Sequence, residues 1–185
     1  MANIIDYIKW RGDLDLQIDP FNDIDGLILS ELAYVDFDKI VPAFLSKESR
    51  SLEDVANDFF NLNDLDKLMD EFSFIKDAII LLKIAAKSKR YKNILLSDYL
   101  NELDYQAVKQ FAAITFQLPD SSIYVAFRGT DDTILGWKED FMMTYTMPIP
   151  SQIRAKEYLS AIARKKYNKS LFYLLKNRSF QTSVL

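Results

Sequence analysis

The stretch Ile123–Arg128, "IYVAFR", constrains the fold more than any other part of the chain. Alternate residues of a strand point to opposite faces. Ile123, Val125 and Phe127 therefore share one face, and Tyr124 and Ala126 the other. Both faces are apolar, so the strand must be covered on both sides, as in an α/β sheet. It ends abruptly on Arg128-Gly129-Thr130. A glycine there permits a tight turn and a close approach to the backbone.

Around this strand the chain divides by pattern. "FAAITFQL" (111–118) is a second strand, and "PDS" between the two is a turn signal. "KNILLSDYLNEL" (92–103) has mixed alternation that assigns it to neither class. The first half is helical in period: "NIIDYIKWR" closed by Gly12, then "DIDGLILSELAYV" (23–35). Ser51 with Asp54 resembles a capping box opening a helix through Phe60. Ser73 can cap the nearly all-round apolar helix 72–87. "GWKEDFMMTY" is helical, "MPIPS" breaks it, and Ser151 caps a last helix with apolar residues at Ala155, Tyr158, Leu159 and Ile162. The expectation is one domain over 1–185: mainly helical to 91, sheet over 92–167, and a divergent tail over 168–185.

At 185 residues, 49% of them hydrophobic, the chain can bury a substantial core. Residues 1–150 carry 15 Lys and Arg against 26 acids; residues 151–185 carry 8 against 1. Arg154, Lys156, Arg164, Lys165 and Lys166 fall on the outer side of the last helix, so a solvated face is expected there. Nucleic-acid binding is the weakest functional class, because the body is acidic. The N-terminus has no signal-peptide pattern, and "AIILLKIAA" (78–86) is too short to span a bilayer. A soluble cytoplasmic location is expected.

The chain has no cysteine and no histidine. Thiolate catalysis, disulfides and a Ser-His-Asp triad built from these residues alone are excluded. Zinc without either ligand is not expected. The glycines, at positions 12, 26, 129 and 136, fit no phosphate-binding loop. In an EF-hand frame with Gly26 sixth, Phe21 and Leu32 stand where carboxylates are required. The acidic stretch 13–23 then reads as a solvated loop with a helix cap. No cofactor and no metal is expected.

Backbone N–H groups preorganised at a strand end can stabilise an oxyanion, by about 3 kcal/mol per donor. The segment "IYVAFRGTDDTILGWKEDF" resembles the part of lipase class 3-like α/β hydrolases where a strand meets an Arg-Gly-Ser/Thr oxyanion turn and a Trp-containing lid. The chain is also similar, over roughly residues 3–167, to a bacterial family of proteins with that hydrolase core. The similarity includes "IIDYIKWRGDL", "DPFNDIDGLILSELAY" and the "Q..A..YL" helix. The resemblance implies the N-terminal portion of an α/β-hydrolase-like fold. It makes Thr130, beside Gly129, the oxyanion-hole residue and puts 131–139 in the lid position. The family's nucleophile elbow is missing: "YNKSLFYLLKNRSFQTSVL" holds no Gly and no His. Codons for Arg178–Gln181, read one base later, can give Gly-His-Ser-Lys, so a frameshift is one origin for the tail.

The expectation is a truncated, catalytically inactive relative of an ester hydrolase. The alternatives are a small module binding an acyl group or lipid, or a half domain completed by a separate C-terminal chain. Asp131 and Asp132 read as a helix cap and first-turn charge rather than a catalytic pair. Trp10 and Trp137 read as core or boundary packing. Arg128 reads as ion-paired, with Glu139 and Asp140 as candidate partners.

Overall fold

A computed structural model describes residues 3–64, 73–104, 109–129, 144, 147–165 and 172–174 of the chain. The two expected strands are β3 (Lys109–Gln117) and β4 (Ile123–Arg128). They pair antiparallel, with Thr115 opposite Val125 and Ala112 opposite Arg128. The expected turn joins them: Leu118 N donates to Ser122 O at 2.9 Å and Ser122 N to Asp120 Oδ1 at 2.8 Å. Ser121 takes the left-handed conformation there, φ 69°. The undecided stretch becomes β2 (Leu95–Asp104), antiparallel to β3. Its outer neighbour is the two-residue β1 (Arg50–Ser51), and β5 (Phe172–Leu174) lies parallel to the start of β4. The sheet order is β1-β2-β3-β4-β5.

This corrects the expected fold class. The sheet is an antiparallel run from β1 to β4 with one short parallel neighbour, in a small mixed domain, and not the N-terminal portion of an α/β-hydrolase-like sheet. Two-sided burial of β4 does occur, but it reports only that both faces are covered. Direction is set by the connections: a connection as short as the one between β3 and β4 can only reverse the chain.

The face predicted for Tyr124 and Ala126 packs into the larger core, beneath α1 (Ile4–Arg11), α2 (Asp23–Leu32), α3 (Leu52–Leu62) and α4 (Ser73–Ala85). The face of Ile123, Val125 and Phe127 packs with Phe111 and Ala113 against Tyr158 and Ile162 of α5 (Pro150–Lys165). Helix starts follow their sequence signals where a short polar residue is free to cap. Asn3 and Asn22 form capping boxes with Asp6 and Asp25, and Ser51 Oγ accepts from Asp54 N at 3.1 Å. Gly12 closes α1 as expected, its N–H donating to Ile8 O at 2.7 Å. A side chain there would fall on that same carbonyl oxygen.

Three local expectations change. The second helix ends at Leu32, with Ala33 as its C-cap, and not at Val35. Ser151 is not the cap of α5. Pro150 occupies the first turn, where its missing N–H costs nothing, and Ser151 Oγ donates instead to Gln110 O at 3.0 Å. Trp10 is neither core nor boundary: it is 76% exposed. It lies two residues, about 200°, round the helix from buried Ile8.

Opposite Ile114, β2 carries two residues, Asp98 and Tyr99, a bulge that re-aims the strand. Asp98 sits at φ 58°, fully buried. Its carboxylate accepts from Ser97 Oγ at 2.8 Å, Leu45 N at 2.9 Å and Lys165 Nζ at 2.7 Å. Its carbonyl accepts from the Tyr158 hydroxyl at 2.7 Å, which also bonds Thr115 Oγ1 at 2.8 Å. Arg154, nearer the start of α5, grips Glu102 through Nε and Nη2, at 2.7 Å for the shortest contact, and lies over the Phe44 ring. Arg154 and Lys165 are therefore not part of a solvated face. They clasp the helix to β2.

Candidate functional site

The sequence places its site at the end of β4, and the sheet register shows what gathers there. Arg128 lies opposite Ala112 of β3, which lies opposite Asn101 of β2. One row across the sheet therefore puts Arg128 and Asn101 on the same face, that of Tyr124 and Ala126. Arg128 Nη2 donates to Asn101 Oδ1 at 3.0 Å. Arg128 Nε is buried and has no acceptor among the described residues. Leu103, two residues beyond Asn101 and on the same face, is 51% exposed.

Tyr99 sits nearby, almost fully buried, its hydroxyl donating to Asp36 Oδ1 at 3.1 Å. Burial and then the Asp36 charge raise its pKa well above the ordinary phenol range, while the Arg128 charge acts in the opposite sense. Gly129 follows Arg128 and is buried. Thr130, Asp131, Asp132, Trp137, Glu139 and Asp140 lie outside the described residues. The site that the described residues form is one cation with a spare buried N–H, an amide, a phenol and an apolar side chain, at the carboxyl end of a buried strand.

A second polar cluster lies beside the acidic stretch 13–23, which is mostly exposed and leads into the Asn22 cap as expected. Asp25 and Arg90 are both buried. Arg90 Nε and Nη2 donate to the two Asp25 oxygens at 2.8 and 2.6 Å. Nη1 reaches Leu14 O and Asp19 O, and Nη2 also reaches Pro20 O. A guanidinium has five N–H groups, and these contacts use all of them. The Tyr91 hydroxyl also donates to Asp25, and burial drives its pKa far upward. Arg90 borders a cavity of about 240 Å³ also lined by Asp15, Lys89, Asn93 and Gln117, but has no donor left for a ligand. This cluster ties the loop before α2 to the start of β2. Sequence reasoning missed it because the partners are 65 residues apart.

Gly26, which fails the calcium frame, has a packing role. Its carbonyl accepts from the Tyr124 hydroxyl at 2.9 Å, and Ser30 Oγ lies 2.6 Å from the same hydroxyl. Burial pushes the Tyr124 phenol up to about 12, partly offset by the Ser30 bond.

The Mbeg1-like family model matches residues 85–176, just under half of the chain. This corrects the expected resemblance: the family matched is Mbeg1-like and not a lipase class 3-like α/β-hydrolase family. The matched segment runs from the end of α4 through β2, β3, β4 and α5 to β5, and so contains Asn101, Leu103, Arg128 and Gly129. No curated protein and no solved structure matches the chain. Among the described residues no group of three or more carboxylates could hold a metal ion. No helix of the described residues is long and apolar enough to cross a membrane.

Proposed function

We propose that this chain is a non-catalytic binding domain for an acyl ligand, held at the carboxyl end of β4 by Arg128, Gly129 and Thr130. The observation that carries the reading is the row Arg128–Ala112–Asn101 with exposed Leu103 on the same face. It sets hydrogen-bond donors beside apolar surface, which is the pattern of an acyl group: a polar carbonyl end and a hydrocarbon chain. Gly129, with no side chain, puts no Cβ in the way of a ligand oxygen approaching the backbone. The residue inventory supports binding without turnover by the His- and Cys-dependent routes of ester hydrolysis. The 185 residues offer neither His nor Cys to activate a nucleophile or to act as one.

The test is isothermal titration with methyl octanoate alongside a turnover assay on a chromogenic octanoate ester. The expected result is saturable binding, weakened by Thr130→Ala, with no hydrolysis above background. Ester hydrolysis abolished by Thr130→Ala would overturn the non-catalytic reading. Absence of any binding would overturn the acyl reading.

A further inference from the structure

We infer that the cavity beside Arg90 binds a free α-amino acid as its zwitterion. Leu95 of β2 pairs with Gln117 of β3, which pairs with Ile123 at the start of β4, and the first two of these line the cavity. It therefore lies at the opposite end of the sheet from Arg128, and the inference stands apart from the acyl-binding reading. Two loops border that end, one before α2 and one between α4 and β2. Arg90 holds both. Its guanidinium bonds Asp19 O at 2.9 Å and Pro20 O at 3.3 Å, and its backbone N–H donates to Gly12 O at 3.0 Å. Within the loops, Gln17 N donates to Asp15 Oδ1 at 2.9 Å and Lys92 N to Ser88 O at 3.1 Å. The walls are set before a ligand arrives, which lowers the ordering cost of binding.

The groups on these walls define the class of ligand. Gln17, Lys89 and Asn93 are exposed, so their polar ends are open to a ligand from solvent. Among the described residues the Lys89 ammonium and the side-chain amides of Gln17 and Asn93 have no partner, and Asp15 keeps a second carboxylate oxygen, Oδ2, without one. Lys89 and Asp15 thus line one cavity with opposite charges that do not pair with each other. An anion alone would face Asp15, and a cation alone would face Lys89. A zwitterion satisfies both: its α-carboxylate accepts from Lys89 Nζ and the Asn93 amide, and its α-ammonium donates to Asp15 Oδ2. Charge-assisted bonds of this kind are roughly twice as strong as neutral ones. Leu118 and Pro119 give the ligand's side chain an apolar wall. At about 240 Å³ the cavity is smaller than the pockets of drug-sized ligands, which begin near ~300 Å³, and it suits a molecule of amino-acid size.

The experiment begins with a thermal-shift screen of the full chain against each proteinogenic amino acid and against glucose. Calorimetric titration then compares the amino acid giving the largest shift with its N-acetyl derivative and its carboxamide. The free amino acid is expected to bind saturably, and each blocking group should weaken it about tenfold, as loss of one charge-assisted hydrogen bond implies. Lys89→Gln should erase the advantage over the carboxamide and keep the advantage over the N-acetyl derivative. Asp15→Asn should do the converse. Methyl octanoate binding should be unchanged by either substitution, which separates this cavity from the acyl site. Binding of no amino acid would overturn the inference. So would binding of glucose in their place, which would make the cavity a polyol site, and so would affinity that tolerates either blocking group or survives both substitutions. The three-ligand comparison on the unmutated chain decides the question even where a variant fails to fold.

Discussion

Replacing Asp25 by Ala should destabilise the protein more than any other single change in the helical layer. Asp25 is fully buried and so is its partner Arg90. The substitution removes the acceptors of two guanidinium bonds, at 2.8 and 2.6 Å, and of the Tyr91 hydroxyl. It also removes the reciprocal half of the capping box, where Asn22 N donates to Asp25 Oδ2 at 2.9 Å. What remains for Arg90 is three backbone carbonyls and the Asp19 carboxylate at 3.3 Å. Removing one partner of a buried pair costs about 3–5 kcal/mol because the other charge stays buried. The residual carbonyls place this case near 3 and the lost cap adds about 1, for a total of about 4 kcal/mol. For a chain of this size each kcal/mol moves the melting temperature by about 2–4 °C, so a fall of roughly 8–16 °C is expected. Urea unfolding followed by far-ultraviolet circular dichroism and by fluorescence measures it, with coincident curves as the two-state check. The double change Asp25→Ala with Arg90→Met should recover much of the loss, since an apolar pair has no charge to strand. If Asp25→Ala costs under about 1 kcal/mol, or if the double variant is no better than the single one, the reasoning from an uncompensated buried charge fails.

Two further expectations concern other layers. Tyr158→Phe should cost about 1–2 kcal/mol by equilibrium unfolding, because it removes the hydroxyl joining Thr115 Oγ1 to Asp98 O inside the smaller core; a neutral result would mean that α5 docks by apolar packing alone. Glu31 has its pKa raised above 4.5, by burial first and then by Asp77. Its neutral form is thus favoured in the folded state. The stabilisation is complete below the unfolded pKa and is lost as pH rises through the raised folded value. Glu31→Gln should therefore melt higher than the parent at neutral pH, with the gap closing in acid; a gap of the opposite sign would refute the assignment.

Much of the architecture around the proposed site was readable from local pattern. Period-two alternation fixed which side chains of β4 share a face, because pleating acts on each residue regardless of the rest of the chain. The Pro-Asp-Ser turn and the cap at Ser51 were equally local. Strand direction was not, nor was the role of Asn101: it depends on β2 pairing with β3 in one register, and that register passes through a bulge no alternation rule anticipates. The misplacement of Trp10 has a different origin: its position about 200° round the helix from Ile8 was a local signal, overridden by its apolar character.

The sequence by itself determined that β4 is buried on both sides, that it ends on Arg-Gly-Thr, and that histidine and thiol chemistry cannot arise from these residues. These follow from side-chain period and from residue inventory, which need no partner in space. Only the tertiary structure decided that the sheet runs antiparallel through β4, that Asp25 and Arg90 form a buried pair, and that Arg128 meets Asn101 across two strands. Each of these joins residues distant in the chain. Such contacts are set by which long-range pairing best buries the apolar faces while satisfying every backbone and charged group.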